Sequence, residues 1–352
     1  MAIIRTLHEA PTLDHFLREI QQYEESTRRF KVSAYDLKLY ADGTLGVRAK
    51  GLYGRFAVSS KAIPSLARLA KIPVPFFQEC DLRLRSVLFN YLVRQKVLGK
   101  EPLCLSLRGQ EAVKIQNCNL LFAPRYEVLD TISKTTPKGM QPEDLKVITY
   151  DWNGEFDVSI IAPALSCEPR KDDIVAFGVN VSQSRDGAVQ VQATAFRLSC
   201  SNGAVNRICD GRHHRIRRLV NRPERQRDFL RRIVLFTEEA WGQWSHQAEE
   251  LARLNNSLME QDDFSALRSR LRQAPFFLSL RVVKQVLERL EIEASQHQGG
   301  PTLYDLWNAM TFLGTHQRRL SRTYRTRLRF GAGEFTRHES RVCSACRQLV
   351  LS

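Results

Sequence analysis

The sequence predicts an α+β fold, with a central antiparallel β-meander, an N-terminal β/α portion and a C-terminal helical layer. Three observations predict it. Residues 103–124, 145–163 and 173–203 alternate apolar and polar side chains, the period of a strand with one buried face. Turn dipeptides interrupt these runs at Gly109-Gln110, Asn153-Gly154 and Asp186-Gly187. From Pro223 onward the apolar period lengthens to that of an α-helix.

The elements follow in order. Residues 12–30 read as an amphipathic helix, with Leu13, Phe16, Leu17 and Ile20 on one face. Asp42-Gly43 joins two alternating runs in a hairpin. A helix starts near Ser60 and is stopped by Pro73 and Pro75. Residues 81–97 form another, whose predicted apolar face is Leu84, Leu88, Tyr91 and Leu92. In the meander Val175, Phe177, Val179 and Val181 share a face, as do Val189, Val191, Ala193 and Ala195. Pro223 suits the first position of one long helix, whose buried face steps from Phe229 through Trp244 to Leu258. Helices at 264–273, 279–295, 302–315 and 318–329 complete the chain, and Thr302-x-x-Asp305 opens the third of them as a capping box. Trp307 and Asn308 are expected in the core, and Trp241 and Trp244 are expected to pack the long helix. The portions are 1–132, 144–220, 221–330 and a basic Cys-containing tail at 331–352, with 30–330 as one continuous domain the alternative.

Charge narrows the function. The net charge is +15, unevenly distributed. Residues 1–196 carry 26 basic and 22 acidic side chains, whereas 197–352 carry 27 and 16. In that second half Lys284 is the only lysine, so the excess is guanidinium, which grips phosphate bidentately and stacks on bases. Eight scattered cysteines fit reduced thiols, and the first residues lack a signal-peptide pattern, so a cytoplasmic protein is expected. No apolar run reaches membrane-spanning length.

The densest stretch, residues 207–233, holds ten arginines and three acids. Arg212, Arg215, Arg217 and Arg218 precede the long helix, and Arg222 and Arg225 open it. Cations at a helix N-terminus oppose the macrodipole, at roughly a few tenths of a kcal/mol each, so an anion explains them better than solvent does. A second stripe, Arg318, Arg322, Arg325 and Arg329, recurs at helical spacing and repels itself unless an anion neutralises it. Helix-turn-helix, zinc-finger and basic-zipper spacings are absent, which disfavours base-specific groove reading. Phosphate-loop and nucleophile-elbow motifs are absent too.

Other chemistry has weaker support. Cys200, Cys209 and His213, with the Cys343-x-x-Cys346 pair, have zinc-ligand types but only one close pair, so reduced structural cysteines are the expectation and no cofactor is assigned. Asp151, Glu155, Asp157, Asp172 and Asp173 would serve a Mg²⁺-dependent nuclease only if they converged.

Several phrases occur together and in order: residues 66–80 and 84–92, "FAPRYEVLD", the Arg197-x-x-Cys200-Ser201-Asn202-Gly203 element, a basic run with His213 and His214, and Asp305-Leu306-Trp307-Asn308-Ala309 followed by Thr311. In this the chain resembles the phage- and plasmid-like family named domain of unknown function 932, over about residues 60–320. The resemblance implies a protein of phage or plasmid DNA metabolism and assigns no catalytic residues. With the charge distribution it gives the expected function: sequence-independent binding of nucleic acid, preferentially single-stranded DNA, with strand annealing by a homo-oligomer as a subsidiary expectation. The alternatives are the nuclease, and a protein–protein factor whose arginines meet an acidic partner.

Overall fold

The computed structural model describes residues 9–60, 62–93, 102–117, 124–149, 156–183, 188–198, 202–206, 223–259, 261–273, 276–317 and 319–334. Helix α1 (Leu13–Glu25) starts at Thr12, whose hydroxyl accepts the His15 N–H. Its helical period continues in the sequence to about residue 30. The helix nevertheless ends at Glu25, because strand β1 (Thr27–Val32) is drawn into antiparallel pairing with β5 (Leu103–Arg108). Strands β2 (Leu37–Leu39), β3 (Thr44–Ala49) and β4 (Leu52–Val58) form successive hairpins. The first turns at Gly43, whose φ of +83° is strained for any residue with a Cβ. Strand β6 (Glu111–Asn117) completes a six-stranded sheet in the order β1-β5-β6-β4-β3-β2, mixed because β4 and β6 run parallel.

Helices α2 (Ile63–Leu69), α3 (Val74–Glu79) and α4 (Leu82–Leu92) cover one face of this sheet. There Leu45, Val47, Phe56, Leu105 and Ile115 meet Leu66, Phe77 and Phe89. Pro73 and Pro75 both end the run of α2 and open α3. Helix α4 is turned from its predicted face: Phe89 is buried, whereas Leu84 and Tyr91 are exposed. Asn90 sets that rotation. Its amide donates to the Leu39 carbonyl (2.7 Å) and accepts the Leu39 N–H (2.9 Å), closing the free edge of β2.

The second sheet is the expected meander, in the order β11-β10-β9-β8-β7 and antiparallel throughout. Its strands are β7 (Lys146–Thr149), β8 (Phe156–Arg170), β9 (Asp173–Gln183), β10 (Val189–Arg197) and β11 (Asn202–Asn206). One end of its first face packs Val179, Val181 and Val191 on Phe229, Ile233 and Phe236 of α6 (Pro223–Gly242). Leu13 and Phe16 of α1 join this core, with Val128 and Leu129 of α5 (Arg125–Ser133), a helix absent from the sequence reading. The other end packs Val175, Phe177 and Ala195 against α7 (Trp244–Asn256), α9 (Leu280–Ala294) and α10 (Leu303–His316). Helices α8 (Gln261–Arg272) and α11 (Arg322–Glu334) complete the described chain.

Two expectations change. The helix predicted from Pro223 to Leu258 breaks at Gly242–Gln243, where glycine supplies no side chain to hold the turn, leaving Trp241 buried and Trp244 38% exposed. The meander buries both faces, since Ala176, Asn180, Thr194 and Phe196 on the second are also inside. Polar residues there pair with one another. Asn180 donates to Asp157, the Val158 carbonyl and Ser159, a satisfaction that hydropathy alternation cannot register.

Gly178 stands opposite Ile161, one pair ahead of the register shift that follows Ala162, and a Cβ there would stand 2.0 Å from the Ile160 carbonyl oxygen. Gly178→Ala is expected to cost at least about 3 kcal/mol in urea denaturation or to abolish soluble folding. Gly242→Ala meets nothing within 4 Å and is expected to be neutral or to stabilise by up to about 1 kcal/mol. Equal behaviour of the two variants would refute the close approach of β8 and β9.

Candidate functional site

Arg197 and residues 305–311, both singled out in the sequence, lie on elements joined by a buried charge network. Arg197 ends β10, and Asp305 to Thr311 lie in α10, buried throughout. Arg197 donates through Nε to Asp173 Oδ1 (2.5 Å) and through Nη1 to Glu293 Oε2 (3.1 Å). Glu293 also accepts from Arg289, and Asp173 accepts the Tyr304 hydroxyl at 3.0 Å. Beside them Arg170 donates to Asp305 (2.8 Å), Asn255 (3.0 Å) and Thr302 (3.3 Å), with its guanidinium over the Tyr304 ring. His297 Nε2 lies 2.9 Å from the second Asp305 oxygen. Asp305 is thus both the capping-box acid of α10 and an ion-pair partner of β8.

The electrostatics follow from burial and pairing. Burial raises the Asp305 carboxyl, but Arg170, the Thr302 N–H and His297 outweigh it and hold it below its ordinary value. Burial, then the Asp173 charge, drives the Tyr304 hydroxyl well above its usual range and the Cys167 thiol up to about 11. These charges are enclosed by apolar side chains and by one another. The arrangement is a fastening between sheet and helices.

The predicted arginines divide into three groups. Arg212, Arg215, Arg217, Arg218, Arg222 and Arg318 lie outside the described residues, while Arg225 falls in the first turn of α6 and Arg322 opens α11. Farther along α6, Arg227 and Arg231 are exposed without an ion pair among the described residues, and Arg232 pairs with Asp228 at 3.2 Å. Arg325 and Arg329 depart from expectation, being only 8% and 6% exposed. Helix α11 approaches α10 so closely at Gly314 that an added Cβ would stand 2.9 Å from Arg329 Cγ. Arg329 then reaches Asp157 on β8 at 3.2 Å, so its neutralising anion is internal.

The described carboxylates do not converge. Asp151 and Glu155 lie outside the described residues. Asp157 stands opposite Ser182 in the β8–β9 pairing, whereas Asp173 begins β9, which separates them by about 30 Å of strand. Asp157 holds Asn180 and Arg329, Asp173 holds Arg197 and Tyr304, and Asp172 occupies the exposed turn between the strands. This removes the nuclease arrangement from the described acids. The zinc candidates Cys200, Cys209, His213, Cys343 and Cys346 lie outside the described residues, and among the described ones no group of three His, Cys, Asp or Glu could hold a metal. No described helix is long and apolar enough to cross a membrane.

One feature of the first sheet escaped the sequence reading. The face opposite α2–α4 carries Arg29, Lys31, Lys38, Arg48, Arg55, Arg108 and Lys114, against Glu111 as the single strand acid there. Burial, then Arg125 and Arg29, pushes the Lys114 ammonium down to about 8. The signal was present as basic residues alternating with core residues in 27–32 and 44–58, but hairpin alternation alone reads as ordinary solvation. No family model matches the chain, nor does any curated protein or solved structure.

Asp305 tests the fastening. Asp305→Ala removes a helix cap and leaves Arg170 facing a cavity, with an expected loss of about 3–5 kcal/mol in chemical denaturation. Because the folded carboxyl lies below its ordinary value of 3.8, its contribution is complete above that value and is lost as the pH falls through the lowered one. Wild type should therefore lose stability more steeply than Asp305→Asn as the pH drops below about 4, and parallel pH profiles would contradict the pairing.

Proposed function

We propose that this protein binds single-stranded DNA through its phosphate backbone without reading sequence, in the replication or recombination of phage or plasmid DNA. The observation that carries the reading is the clustering of arginine around the start of α6, ten in residues 207–233 against three acids. Arg215, Arg217, Arg218, Arg222 and Arg225 are the proposed phosphate ligands, and Arg227 and Arg231, exposed and free of acid partners among the described residues, extend the cationic surface along α6. Arg325 and Arg329 leave the proposed site, since both are buried and Arg329 is already paired with Asp157 inside the protein. The process, and any annealing by an oligomer, rest on the resemblance alone.

Binding of a labelled oligonucleotide across salt concentrations tests this. Affinity is expected to fall linearly on a log–log plot against salt, with a slope of about −0.7 for each phosphate neutralised on a single strand. Arg215→Ala, Arg217→Ala and Arg218→Ala combined should shallow that slope by about 2 and weaken binding at low salt by about ten-fold or more. Absence of binding at low salt would overturn the proposal.

A further inference from the structure

The open half of the first sheet has the surface of a stacking platform. In the β2–β3–β4 hairpins the core face takes Leu37, Leu39, Leu45, Val47 and Phe56, so the alternate residues face away from α2–α4. The pairing register sets Lys38 beside Gly46 and Gly46 beside Arg55 in one cross-strand row. The next row pairs Arg48 with Tyr53. Tyr53 is 79% exposed, the most open of the large hydrophobic side chains described, and Lys38, Arg48 and Arg55 are exposed with it.

Tyr40 organises this face. A Cβ at Gly46 would stand 2.6 Å from Tyr40 Cε2, so the glycine is what lets that ring lie against the strand. The Arg55 guanidinium lies 3.6 Å from the Tyr40 ring centroid and the Lys38 ammonium 5.0 Å from it, on a ring already held by the sheet. Arg48 lies 5.9 Å from the Tyr53 centroid. The nearest acid is Asp42, 3.5 Å from Arg55 across a pair whose two side chains are each more than half exposed, an interaction that water and salt weaken. Asp42 is chiefly occupied by the turn, accepting the Thr44 hydroxyl and N–H.

An exposed ring and planar guanidinium groups on a rigid sheet, held in a positive field, match what unpaired bases and their phosphates require. A duplex hides its base faces, so the match is to a single strand. We infer that the β2–β3–β4 face is a second contact site for single-stranded nucleic acid, with Tyr53 stacking on a base and Arg48, Arg55 and Lys38 meeting adjacent phosphates. Tyr40 is a positioning residue that holds Arg55. The inference rests on the proposed strand binding but names a site distinct from the arginine run, so the two fail separately.

The experiment compares a twenty-nucleotide thymidine strand with an abasic strand of equal length, which keeps phosphates and lacks bases. Tyr53→Ala is expected to weaken thymidine-strand binding about ten-fold and to leave abasic binding unchanged, with Tyr53→Phe close to wild type. Arg48→Ala combined with Arg55→Ala should weaken both strands. A strand carrying 5-iodouracil should photocrosslink to the peptide holding Tyr53. If wild type binds thymidine but Tyr53→Ala matches it, or loses both strands equally, the stacking site is overturned while backbone binding stands. If wild type binds neither strand, both readings fall.

Discussion

The fold depends on a set of charges taken out of water and paired across the sheet–helix boundary. Arg197 at the end of β10 holds Asp173 at the start of β9 and Glu293 on α9, while Arg170 on β8 holds Asp305 on α10. Removing any one partner strands the other in a medium that solvates charge poorly. The set therefore fixes which helices dock on which strands, where apolar packing alone would tolerate alternatives. The capping box of α10 belongs to it as well, which couples the start of that helix to the meander.

That constraint sorts the arginines. A guanidinium with an internal carboxylate is structural whatever its neighbours in sequence, as Arg170, Arg197 and Arg329 show. One that is exposed without an acid partner is available to an external anion, as Arg227 and Arg231 are. The basic excess therefore divides between fastening and surface. The surface share includes α6, the exposed Arg268, Arg270 and Arg272 of α8 and the open face of the first sheet, whereas Arg325 and Arg329 of α11 are buried.

The two sheets differ in how they finish their second faces. The meander covers both of its own, satisfying Asn180, Ser159 and Asp157 among themselves. The first sheet leaves the β2–β4 end of its outer face to solvent and populates it with cations and tyrosines. A sheet that buries one face and keeps the other open and cationic is suited to receiving a ligand on strands, whose backbone is held by the ladder and hardly moves on contact.

By itself the sequence determined the α+β class, the hairpins at Asp42-Gly43 and Gly109-Gln110, the α10 capping box and the burial of Trp307, because each follows from contacts within a few residues or from apolar periodicity. It missed α5, the break at Gly242 and the rotation of α4, where packing and the Asn90 bonds to Leu39 override local pattern. Only the tertiary structure decided which arginines are internal. Helical spacing makes Arg325 and Arg329 one stripe but says nothing of the Asp157 carboxylate or the close approach at Gly314. Those partners come from distant strands and helices, and a charge becomes structural or available according to what the fold sets beside it.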